Sequence, residues 1–201
     1  MKKLLLASLA GAGVLFVWGF IAWAILPLHK SSFRPVTNED AIVAALKSSI
    51  AADGLYYFPA MPEEAANTPR EQRAAMMDAW MNKQKAGPVG MIVYHPQGMD
   101  PMMAGQFIWG FVIFLVGAYI AAWFLSRSTA AASSYMARVA YCGMLGVFIS
   151  FGSHIPNMNW MYMPMNHTTA MVADVVIGWL LAGLAIAAIV KTPKPEAVDP
   201  R

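Results

Sequence analysis

Residues Leu4–Leu26 read LLLASLAGAGVLFVWGFIAWAIL, an apolar run without a single charged side chain. A hydrocarbon core of about 30 Å takes roughly 20 helical residues at about 1.5 Å each, and this run meets that length outright. The preceding Met1-Lys2-Lys3 gives it the look of a secretory signal. A signal h-region stops after roughly 7–15 residues, however, whereas this run continues through both tryptophans, so a retained membrane anchor is expected. Cleavage after Ala10 or Ala24 is the alternative.

Outward from this segment the pattern repeats. Phe107–Leu125 and Val139–Ser153 are free of charge, and Thr169–Val190 is interrupted only by Asp174. Hydrophobic residues make up 58% of the 201-residue chain and charged residues 12%, a balance that points to a membrane. The third run is short, and extending it back to Ala130, with Ser133, Ser134 and Arg138 at the headgroups, supplies the missing turns. The expected fold class is therefore a mainly α membrane protein. Four transmembrane helices are expected, with a small α+β extracytoplasmic insert between helices 1 and 2. The expected segments are an N-terminal span at 1–28, the insert at 29–105 and a three-helix region at 106–190 whose hairpin covers 154–168. A cytoplasmic tail follows at 191–201.

Lys and Arg beside spans resist translocation. Lys2, Lys3, Arg127, Arg138, Lys191 and Lys194 thus assign both termini and the loop between spans 2 and 3 to the cytoplasm of a bacterial inner membrane. The formal net charge of +3 is mostly this topological signal. No basic stripe with interleaved aromatics suggests nucleic acid. The lone cysteine, Cys142, lies in the third run, so no disulfide can form within the chain.

Within the insert, Thr37 is placed to cap NEDAIVAALKSSIAA, with Asp40 three residues on and Gly54 as its stop. GLYYFPAM and VGMIVYHP read as strands. Between them, Thr68 and Pro69 start a second helix that Gly87 ends. Such an insert is marginal alone and is expected to lean on the membrane helices or on a partner.

The chemistry-bearing residues gather at one expected face. His29, His95, His154 and His167 all fall at the extracytoplasmic ends of spans. The segment HIPNMNWMYMPMNHTT, residues 154–169, adds Met161, Met163 and Met165, and thioethers with imidazoles suit copper(I). Haem would need two opposed histidines, which helix ends supply poorly. Against both stands ordinary packing, since methionine fills irregular apolar gaps and His, Trp and Tyr favour the interface. Asp174 costs several kcal/mol inside a span unless it is paired, neutral or hydrated. His167 lies seven residues earlier on nearly the same face, and Trp160, Tyr162, Thr168 and Thr169 are candidate donors. Asp174 then reads as a packing carboxylate, a proton or ion relay, or a ligand contact. A quinone site at this face is also open.

Small residues at four-residue spacing (Ala7/Gly11, Gly146/Ser150, Gly178/Ala182, Gly183/Ala187) allow close helix contact, within the chain or between copies. G-x-S-x-G, Walker, H-E-x-x-H and dinucleotide patterns are absent, which points away from an enzyme. The order VLFVWGFIAWAILPLH, GLYYFP, GPVGMIVYHP and HIPNMNWMYMPMNHTTAMVADVVIGWLLAGL resembles an uncharacterised group of small bacterial four-helix inner-membrane proteins. That resemblance implies a retained first helix, an extracytoplasmic insert and a three-helix remainder, and it carries over no catalytic residue. The expected role is a non-catalytic accessory or assembly subunit, with the lipid bilayer and other membrane-protein subunits as partners. The alternatives are a copper- or haem-handling protein and a proton-coupled transporter using Asp174.

Overall fold

The computed structural model describes residues 1–62, 69–129, 131 and 134–192. In chain order the elements are α1 (Lys2–Phe20), a π-helical turn (Ile21–Ile25), a 3-10 turn (Pro27–His29), α2 (Glu39–Ser49) and β1 (Gly54–Phe58). There follow α3 (Arg70–Ala86), β2 (Gly90–Tyr94), α4 (Ala104–Arg127), α5 (Tyr135–Gly152), α6 (His154–Trp160) and α7 (Met165–Ile189). Among the described residues four helical stretches are long and apolar enough to cross a membrane: Lys2–Ile25, Ala104–Arg127, Tyr135–Trp160 and Met165–Ile189. Mean hydropathy is 1.3 in the third against 2.2, 2.2 and 2.3 in the others.

The third stretch gains length at both ends, back from Val139 to Tyr135 and forward through Trp160. It starts at Tyr135, where the Ser134 hydroxyl accepts the Ala137 N–H at 3.1 Å. That cap satisfies one of the four free N–H groups of the first turn. The forward turns come from α6, so the segment expected as a hairpin at 154–168 is largely helical. Of the residues read as the extension, Ala130, Ala132 and Ser133 lie outside the described residues.

The chain divides into two compact units, residues 1–35 with 102–201, and Val36–Pro101. In the first, α1 and α7 are the central pair, α4 flanks α1, and α5 flanks α7. The interior is rich in small side chains: Ala7, Ala12, Ala118, Ala122, Ala182 and Ala187 are fully buried around Leu125 and Ile186, while Phe20, Trp109 and Phe148 point outward. In lipid no hydrophobic drive pulls large side chains inward, so close backbone approach and dispersion contacts hold such a bundle together. All eight of the small residues singled out in the sequence are buried inside the chain. A methyl added at Gly183 would stand 3.0 Å from the Val139 carbonyl, and one at Gly11 2.8 Å from Ile186. The spacing therefore serves intramolecular crossings.

In the second unit β1 and β2 pair antiparallel, with Leu55 opposite Val93 and Tyr57 opposite Met91. Helix α3 is tied to the end of β1, where Trp80 Nε1 and Gln84 Nε2 both donate to the Pro59 carbonyl, at 3.1 and 3.2 Å. Gly87 ends α3 at φ +67°, a backbone conformation that a side chain would strain. Two expectations are corrected. Helix α2 begins after Asn38, with no side-chain cap bond, instead of after Thr37. It stops at Ser49, and Gly54 opens β1. Charge supplies what the cap does not, since Glu39 and Asp40 sit at the positive end of the helix dipole. Thr68 lies outside the described residues.

Candidate functional site

The polar centre of the membrane unit forms around Asp174, a little over two turns into α7. Its carboxylate accepts the Trp18 indole N–H on Oδ1 at 2.6 Å and the Trp23 indole N–H on Oδ2 at 3.1 Å. Nε2 of His29 lies 3.0 Å from Oδ2. Trp18 also reaches the Asp174 backbone carbonyl at 3.1 Å. Asp174 is 13% exposed and His29 5%. An ionised carboxylate only accepts hydrogen bonds, so the His29 nitrogen facing it must carry the proton. Nε2–H then donates to Asp174, and in the neutral imidazole Nδ1 is left as an acceptor.

The local backbone explains why three donors from the first span reach one side chain. Five residues along a regular α-helix turn through roughly 500°, which would set Trp18 and Trp23 roughly 140° apart. The helix changes to π geometry at Ile21, closed by Leu26 N–H donating to the Ile21 carbonyl at 2.8 Å, and the wider turn brings the second indole back toward α7. Leu26-Pro27 then redirects the chain, because a residue before proline is extended and Leu26 has ψ 149°. The 3-10 turn that follows carries His29 under Trp23, whose ring stacks on the imidazole with centroids 3.9 Å apart. On the other side, Gly178 makes room: a methyl there would stand 2.9 Å from Trp18 Cδ1.

A second ring of aromatic contacts runs from this centre toward the remaining histidines. Trp23 lies 6.2 Å from Phe33, and Phe33 meets His167 edge-on at 5.8 Å. Asn166 Nδ2 donates to the Ser31 carbonyl, joining the start of α7 to the chain after His29. His154 opens α6 and is half-buried. His95 belongs to the second unit, with Nδ1 3.7 Å from Asp53 Oδ1 and both side chains exposed. Of the methionines, Met161 and Met165 are exposed and Met163 is half-buried. Among the described residues no three His, Cys, Asp or Glu side chains are arranged to hold a metal ion.

The donors read from the sequence are not the ones Asp174 uses. Trp160 and Tyr162 are exposed, and the Thr169 hydroxyl bonds to the Met165 carbonyl at 2.8 Å. The Thr168 hydroxyl has no partner among the described residues. His167 stands about 10 Å up the helix axis, seven residues at about 1.5 Å each, beyond the reach of a short carboxylate. Lateral donors on α1 are nearer. Arg138 stays at the other end of α7, donating from Nε to the Ala187 carbonyl at 3.2 Å, where a cation suits the negative end of the helix dipole. Compared with protein-family models, curated proteins and solved structures, the chain shows no match.

Proposed function

We propose that the protein is a non-catalytic accessory or assembly subunit of a larger complex in a bacterial cytoplasmic membrane. Both termini lie in the cytoplasm, and the unit Val36–Pro101 is presented on the outer side as its contact module. The observation that supports this most is the lack of an interior in that unit. None of its described residues is buried, although it has two helices and a hairpin. Leu55 and Val93, directly opposed across the two strands, are 67% and 72% exposed, and Ile42 and Val43 of α2 are exposed too. A two-stranded sheet needs a further strand or a covering layer to be stable, and an apolar cross-strand pair is a place for one. Both strands also keep one unpaired edge among the described residues, which a partner strand can use. The Asp174 centre fits the same role: its carboxylate is engaged by Trp18, Trp23 and His29, an arrangement that locks α1 to α7.

A photocrosslinking side chain at Leu55 or Val93, introduced in living cells, is expected to give one discrete adduct with a second polypeptide. Leu55→Asp combined with Val93→Asp is expected to remove that adduct while the chain keeps its abundance in the membrane. Adducts formed only with lipid, or only with a second copy of this chain, would overturn the proposal.

A further inference from the structure

His29 is the most buried ionisable side chain of the Asp174 centre, and half of its hydrogen-bonding capacity is unused. Nδ1 is out of solvent contact and has no partner among the described residues. A buried polar atom without a partner costs free energy and calls for an explanation. His29 also lines a groove of about 540 Å³ together with Trp23, Leu26, Pro27, Lys30 and Phe33. Two aromatic rings, a prolyl turn and an imidazole make walls suited to a flat apolar ring. The volume lies within the roughly 300–1,000 Å³ of small-molecule sites. The π-helical turn that presents Trp23 interrupts a regular helix, a feature often found at functional sites.

We propose that this groove binds the hydroxylated aromatic ring of a membrane amphiphile, a quinol-type head group, whose O–H donates to Nδ1 of His29. The polarity follows from the Asp174 centre. In the neutral imidazole the carboxylate holds the Nε2–H tautomer, and Nδ1 then accepts. A ring bearing hydroxyl donors satisfies it, while the corresponding quinone, which carries only acceptors, sets lone pair against lone pair. Trp23 and Phe33 give stacking surfaces, and the groove lies where α1 gives way to the following turns, so an alkyl tail can run along the span. Because Nδ1 is shielded, binding includes a small opening of the groove, with the exposed Phe33 as its movable wall. The site assigns selectivity between two oxidation states of one ring and involves no electron transfer within this chain. It is separate from the contact module, so either inference can fail without the other.

The test uses the full chain in lipid nanodiscs, titrated with a short-chain alkyl p-benzoquinol under anaerobic conditions and, separately, with the matching p-benzoquinone. Saturable quinol binding is expected, at least about tenfold tighter than quinone binding, the scale set by one unmade buried hydrogen bond. Phe33→Ala, which leaves the His29–Asp174 contact in place, is expected to weaken quinol binding several-fold, and His29→Gln to abolish the preference. Nitrogen NMR of His29 in the ligand-free protein is expected to show protonated Nε2 and bare Nδ1, so the proposal remains testable even where His29→Gln fails to fold. Equal affinity for the two forms, a Phe33→Ala variant with unchanged affinity, no saturable binding, or a proton on Nδ1 would each overturn it.

Discussion

Replacing Trp18 with phenylalanine is expected to destabilise the bundle by about 2–3 kcal/mol, and that loss is expected to fall to about 1 kcal/mol when Asp174 is leucine. The first half of this expectation follows from the geometry of the carboxylate. Trp18 makes its shortest hydrogen bond, 2.6 Å, and a bond to a charged group contributes about 1.5–3 kcal/mol, roughly twice a neutral one. Phenylalanine keeps a ring over Gly178 but removes the N–H, leaving a charge inside the span with one donor fewer. Losing one partner of a buried ionic contact costs more than the contact contributed, because the remaining charge is uncompensated.

The second half follows from the same asymmetry. With leucine at position 174 the charge is gone, and the intramembrane aspartate cost of about 2.5–3.5 kcal/mol goes with it. Trp23 and His29 then keep donors with nothing to bond, whereas Trp18 still has the backbone carbonyl of residue 174, so Trp18→Phe loses one neutral hydrogen bond, about 0.5–1.5 kcal/mol. Unfolding of the four chains by titration with a denaturing detergent measures the coupling directly. If Trp18→Phe costs the same in both backgrounds, the indole contributes only packing and the carboxylate does not clasp α1 to α7.

This centre also shows where the sequence was legible and where it was not. The four spans are written in composition, since lipid demands long charge-free runs and little else resembles them. Asp174 announced itself as a charge in such a run. Its partners did not, because Trp23 and His29 depend on a register that the π turn creates. Ile21–Ile25, IAWAI, carries no glycine or proline to mark a change of helix geometry. On an ideal α-helix Trp18 and Trp23 face different directions, and His29 lies beyond a turn whose path periodicity cannot give. Helix periodicity therefore points along α7 to His167, whereas the contacts run across to the first span and the turn after it. The pair of tryptophans five apart, followed by a histidine at the same end of the bundle, was the available signal.

The small residues posed a related problem. Four-residue spacing marks where helices can approach but does not say which glycines are in contact. Gly146→Ala is expected to destabilise the membrane unit by about 2–3 kcal/mol, while Gly110→Ala, the same change in another span, is expected to be neutral or stabilising by up to about 1 kcal/mol. A methyl at Gly146 would stand 3.0 Å from Val176 Cα, 3.1 Å from the Val175 carbonyl and 3.1 Å from Trp179 Cβ. Backbone atoms cannot rotate aside, so α5 must move off α7, and an overpacked contact of that kind costs about 1–3 kcal/mol.

At Gly110 nothing lies within 4 Å, so alanine meets open space and brings only its better helix propensity, about 0.8–1.0 kcal/mol over glycine. Because Val175 and Val176 directly follow Asp174 on α7, displacement at Gly146 also reaches the polar centre. Gly146→Ala should therefore weaken the coupling between Trp18 and Asp174 as well as lower stability. Matched unfolding titrations of the two variants decide it: a Gly110→Ala loss as large as that of Gly146→Ala would mean that the α5–α7 crossing is not the close contact described.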